Sequence, residues 1–165
     1  MEKYVYLASQ LPLLTFDKEP AMSVTAFLEE GRKWLSPMDW KILTEVSINA
    51  VTAEKSDLVA LRDYRNYEHA LRSELLHYRR ALRNREEYKP ALFTLTVLKE
   101  GNPLEIEKKL LRLRWQRIEE LEFGHYADLE FLALYYLRLQ LLMRLQKFDK
   151  EVGKAKFKTI IEASL

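Results

Sequence analysis

The sequence predicts an all-α fold, and three observations carry that expectation. Its 165 residues include only four glycines and five prolines, about half of average usage and too few for the turns of a sandwich or barrel. Residues 57–87 contain neither and form one long helical pattern. No pair of segments shows the two-residue alternation of partnered strands. The expected architecture is a helical bundle of six or seven helices with one long helix and a short extended N-terminal segment. Its length fits a single helical domain spanning 1–165. Gly101-Asn102-Pro103 is the only break able to act as a hinge.

The elements follow in order. Tyr4, Tyr6 and Ala8 alternate with Val5, Leu7 and Ser9, which reads as a short extended or one-turn segment stopped by Pro12. Residues 12–22 read as a loop, and a helix follows over 23–35 with Phe27, Leu28, Trp34 and Leu35 on its apolar side. Ser36-Pro37-Met38-Asp39 places a cap before a first-turn proline and a carboxylate at the third helical position. Trp40, Leu43, Ile48 and Val51 extend that helix to residue 53.

In the long helix, Leu61, Tyr64, Glu68, Leu71, Leu75, Tyr78 and Leu82 recur at steps of three and four, a core-facing stripe with one acidic member. Residues 91–98 suit a helix or a strand, and the lack of a strand partner favours helix. Asn102, Pro103 and Glu105 start the next helix, which runs to Phe123 and is closed by Gly124. A nearly all-apolar central helix spans 128–148, and a last one spans 150–164 with Val152, Phe157, Ile160 and Ile161.

Composition excludes several function classes. Without cysteine there is no disulfide framework, thiolate metal site or cysteine nucleophile. No Walker loop, dinucleotide fingerprint or nucleophile elbow is present. The net charge of +2 argues against a dedicated nucleic-acid binder. The start of the chain lacks a signal-peptide pattern. The most apolar run, 129–145, contains Glu130, Arg138 and Arg144, which argues against a membrane span. The expected location is therefore the cytoplasm.

Four constellations remain. Glu74-x-x-His77 and Glu122-x-x-His125 match the spacing of di-iron bundle ligands. The second pair straddles Gly124 at a helix end, and helix 128–148 has no histidine, so no metal, cofactor or catalytic residue is expected. Arg62, Arg65, His69, Arg72, Leu76, Arg79 and Arg83 form a basic stripe about 100° from the apolar one. Glu68 can pair with Arg72 and Arg83 with Glu87, while Arg79 and Arg80 have weaker local partners. The stripe is either a solvated face paired with neighbours such as Glu119, Glu120 and Glu122, or a docking face for an acidic partner, to which arginine's planar fork is suited. Arg62, Arg65, Arg72, Arg79 and Arg83 are thus the candidate partner-binding residues. A nucleic-acid or nucleotide-binding module using the same arginines is the alternative. Arg138, mid-way along the apolar helix, requires a carboxylate or solvent; Tyr135 and Tyr136 beside it read as core. Tyr4, Tyr6, Leu11, Leu13, Leu14 and Phe16 make an N-terminal segment so apolar that it must pack on the bundle or on a partner.

Several short motifs also carry a resemblance. They are Tyr4-Val5-Tyr6-Leu7-Ala8-Ser9-Gln10-Leu11-Pro12 with Phe16-Asp17, then Asn102-Pro103-Leu104-Glu105, Leu113-Arg114-Trp115 and Tyr136-Leu137-Arg138-Leu139-Gln140. Together they resemble an uncharacterised bacterial family encoded beside V-type (vacuolar/archaeal-type) rotary ATPase subunits. The helical character and the last helices are similar in style to the C or d subunit of those ATPases, a funnel joining the central stalk to the membrane ring, although this chain is much shorter. The resemblance implies a non-enzymatic interaction protein, an accessory or central-stalk-linking subunit, with ATPase subunits as partners.

Overall fold

The computed structural model describes residues 3–54 and 58–148, which form seven helices and no strand. They are α1 (Val5–Gln10), α2 (Val24–Trp34), α3 (Pro37–Thr44), α4 (Val59–Asn84), α5 (Thr96–Lys99), α6 (Pro103–Glu122) and α7 (Leu129–Gln146). The all-α expectation holds. The helix expected over 150–164 lies outside the described residues.

Three helix starts follow from local chemistry. Ser23, Ser36 and Asp128 each accept a hydrogen bond from the third amide of the helix they begin. Asn102 and Glu105 form a reciprocal capping box at α6, with Pro103 at the first position. Gly101 precedes that box at φ +103°, and a Cβ there would collide with the Glu105 carboxylate. The residue is therefore glycine for space as well as for backbone conformation.

Three segments depart from expectation. The N-terminal segment is helical over Val5–Gln10, not extended. Tyr4 and Leu7 are buried and Leu11 half-buried, a three-and-four spacing that the alternation of polar and apolar letters conceals. The Tyr4 amide donates to the Ala127 carbonyl at 2.7 Å, fastening the start of the chain to the α6–α7 turn. Helix α3 stops at Thr44 rather than at residue 53. Gln140 of α7 explains the stop: its side-chain amide accepts from the Ile48 N–H at 3.0 Å and donates to the Val46 carbonyl at 2.9 Å. That substitutes for helix bonds in a β-branched stretch with low helix propensity. Finally, residues 91–93 are bends, 94–95 lead through a turn, and only Thr96–Lys99 is helical. Glu74 on α4 accepts from the Ala91 and Leu92 amides at 2.9 and 3.0 Å, fixing this stretch in a folded-back loop.

The core consists of two apolar clusters. The larger gathers α7 with Leu61 and Tyr64 of α4, Leu111, Trp115 and Ile118 of α6, and Phe27, Leu43 and Leu7 from the N-terminal helices. Eight consecutive residues of α7, 132–139, are buried, as expected for a central helix. Phe27 stacks on Tyr135 and Tyr136. The N-terminal segment closes this core through Tyr4, Leu14 and Phe16, while Leu13 is exposed and Tyr6 packs outside against Trp34. The smaller cluster joins Leu71 and Leu75 to Phe93 and Leu110. Among the described residues no helix is long and apolar enough to cross a membrane.

Candidate docking surface on the long helix

Helix α4 runs 26 residues, about 39 Å at 1.5 Å per residue. Leu61, Tyr64, Leu71 and Leu75 face the core as the stripe predicts. Its acidic member, Glu68, is fully buried between the two apolar clusters. Arg72 Nε donates to Glu68 Oε1 at 2.6 Å, and Arg114 of α6 donates through Nε and Nη2 at 2.7 and 3.1 Å. A two-armed guanidinium contact satisfies a buried carboxylate in a way lysine could not. Burial is the largest single influence and would lower the Arg114 pKa, but the hydrogen bond to Glu68 and the charge attraction of Glu68 together with other neighbours outweigh it and the value rises. The Glu68–Arg72 pair was legible from spacing; Arg114 was not.

This arrangement divides the basic stripe. Arg62 and Arg65 are half-buried, and Arg65 Nη1 reaches the Thr52 carbonyl at 3.5 Å. Arg72 is committed to Glu68. Arg79 and Arg83 are exposed, and no ion pair or hydrogen bond joins either to another described residue. The side chains of Arg80 and Arg85 are likewise exposed and without an ion pair or hydrogen bond to a described residue. The neighbours considered for pairing are engaged elsewhere: Glu119 accepts from Trp115 Nε1, Glu120 pairs with Arg117, and Glu122 pairs with Arg138. Glu87 lies beyond the end of α4 and does not pair with Arg83. Arg62 also has no such partner among the described residues but is half-buried, so the exposed, unengaged arginines of α4 gather at its C-terminal end. Arg85 caps it at φ 58°, ψ 36°, a left-handed conformation that glycine usually supplies.

The remaining constellations hold the fold. Glu130 Oε1 and Oε2 accept from the Val59 and Ala60 amides at 3.2 Å each, capping α4, whose own N-cap residue, Leu58, cannot. His125 lies between two such capping carboxylates, with Nδ1 2.8 Å from Asp128 and Nε2 3.0 Å from Glu130. Its two ring nitrogens point to different carboxylates. Glu74 is occupied by the 91–92 amides, and His77 packs against Tyr88. The two Glu-x-x-His pairs thus do not converge, and the described residues include no cluster able to hold a metal ion. Arg138 is buried as an ion pair: its Nη2 donates to Glu122 at 2.6 Å, and its guanidinium lies over Trp115 and Tyr135. Burial raises the Glu122 pKa against the opposing pull of Arg138.

The class defined by this geometry is a helical bundle presenting a cationic helix end. Residues 56–164, about two thirds of the chain, match the family described as "Protein of unknown function (DUF2764)", and the chain belongs to that family. The matched region includes all of α4–α7. No curated protein and no solved structure matches the chain.

Proposed function

We propose that the chain is a non-enzymatic interaction protein, and specifically an accessory or central-stalk-linking subunit of a V-type rotary ATPase, docking through helical surfaces. The single observation that carries the docking reading is the set of exposed, unengaged arginines at the end of α4: Arg79, Arg80, Arg83 and Arg85. Arginine keeps its charge at every physiological pH, and its planar fork grips carboxylates with two bonds. The helix dipole accounts for a cation in the last turn, but four such groups on two turns also repel one another, with no carboxylate among the described residues paired to any of them. A left-handed arginine at the cap, where glycine is less strained, adds to that support.

The non-enzymatic part is supported by the work its titratable groups already do. Glu68, Glu74, Glu122, Glu130 and His125 each hold one element against another. The rotary ATPase assignment rests on the resemblance carried by residues 4–12, 102–105, 113–115 and 136–140. The test is purification of the chain, tagged at its own locus, from the native cell with its ATPase genes intact. Recovery of rotary subunits with it supports the assignment; their absence from the purified material would remove it. The location follows the same reading, a cytoplasmic protein held at the membrane face through that complex.

A further inference from the structure

The apolar stripe of α4 continues past the helix that covers it. Arg114 meets Glu68 and Arg117 lies over Tyr67, so α6 runs antiparallel to α4. Counting back from Arg114, the first residue of α6, Pro103, falls level with Arg79. Leu82, the last member of the stripe, overhangs that start and is 59% exposed. Beside it the chain folds back and encloses an open groove of about 1030 Å³, lined by Tyr78, Leu82, Tyr88, Pro90, Leu92 and Phe93 among others. Lys89 and Lys99 also belong to its wall. Arg79 and Arg83 sit on the adjoining face of α4, about 100° round the helix from Tyr78 and Leu82, and Arg85 stands at its end. Within the lining Glu86 and Glu87 balance Lys89 and Lys99, and the cationic excess comes from Arg79, Arg83 and Arg85 at its edge.

We propose that this groove receives an acidic amphipathic segment of a partner protein. Its large apolar side chains cover the exposed Leu82 and Leu92, and its carboxylates meet Arg79, Arg83 and Lys89. The proposal rests on the docking reading above and names the partner's chemistry. The groove is unlike a small-molecule pocket: it is open, and its volume is at the top of the usual 300–1,000 Å³ range. An apolar floor beside a cationic edge is the complement of an amphipathic helix laid into a groove. The charge excess selects acidic over basic partners and speeds their encounter. A nucleic acid fits less well, because the leucine floor would stay uncovered.

The test places a photo-reactive benzophenone amino acid at position 82, and in a second strain at position 92, of the full chain in its native cell. Ultraviolet crosslinking and mass spectrometry then identify the attached segment. The expected product is a protein segment of net negative charge with large apolar residues at three- and four-residue spacing. Adding Arg79→Glu and Arg83→Glu is expected to cut its yield at least tenfold with helical circular dichroism unchanged. Leu82→Asp, combined with the label at 92, is expected to do the same. A label at Thr25, exposed on α2, serves as background. Crosslinks to nucleic acid, to a basic or wholly polar segment, or none above that background would overturn the proposal, as would an undiminished yield in the charge-reversed chain. If rotary subunits co-purify while neither label crosslinks, the groove proposal alone falls. If the captured acidic segment belongs to another protein, the groove stands and the ATPase assignment falls.

Discussion

Glu68 illustrates what a single buried charge does in this bundle. It sits at zero exposure between two apolar clusters, with Arg114 on one side and Arg72 on the other. Removing it leaves Arg114, only 12% exposed, without a counter-charge. Breaking a buried pair from one side costs about 3–5 kcal/mol, so Glu68→Ala is expected to lose that much in urea unfolding. Arg72→Ala should lose less than about 1 kcal/mol, because that arginine is 44% exposed and Arg114 still satisfies the carboxylate. The core tyrosines add a pH dependence. Burial raises the Tyr135 pKa to about 12, and burial also raises that of Tyr64. A folded pKa above the ordinary phenol value of about 10 means that the un-ionised form is favoured by folding. Its stabilisation is complete below pH 10 and is lost as pH rises towards 12. Tyr135→Phe should make that alkaline loss shallower, and should cost about 1 kcal/mol at neutral pH through the lost bond to the Pro12 carbonyl. Spacing alone marked Glu68 as the odd member of its stripe. It could not name Arg114, because the register of α6 against α4 is set by tertiary packing.

Helix ends show the same division between local and distant causes. The starts of α2, α3, α6 and α7 are written in adjacent residues, and their caps lie where the sequence puts them. Helix α4 is different: its cap comes from Glu130, seventy residues away or more. Glu130→Ala should therefore cost about 1–2 kcal/mol and speed amide exchange at residues 59–62 while leaving residues 71–81 protected. At the other end, Arg85→Gly is expected to stabilise the chain by about 0.5 kcal/mol, since the strain relieved at the left-handed cap exceeds the chain entropy that glycine adds to the unfolded state. Thermal unfolding checks both. Helix α1 and the early end of α3 were not legible because Leu7 is buried by the neighbours it meets in three dimensions, and Val46 and Ile48 are paired by Gln140 of α7.

At the scale of the molecule, the long helix does two jobs. Its first two thirds lock α6 and α7 through the core stripe and Glu68; its last turns overhang the bundle and carry cations that nothing in the described chain engages. The sequence presents these cations as one stripe of five arginines. Whether each is covered depends on where the neighbouring helices end, and no local pattern records that. The distinction yields a sharp expectation: charge reversal at Arg79 and Arg83 should change stability by no more than about 0.5 kcal/mol, as surface substitutions generally do, while Arg72→Glu should destabilise by placing a second carboxylate beside Glu68. The most direct measurement is the amount of native partner retained by the tagged chain carrying Arg79→Glu and Arg83→Glu, relative to the unaltered chain. A loss of tenfold or more with an unchanged unfolding midpoint is the predicted result. Full retention of the partner by the folded variant would contradict a docking role for this helix end.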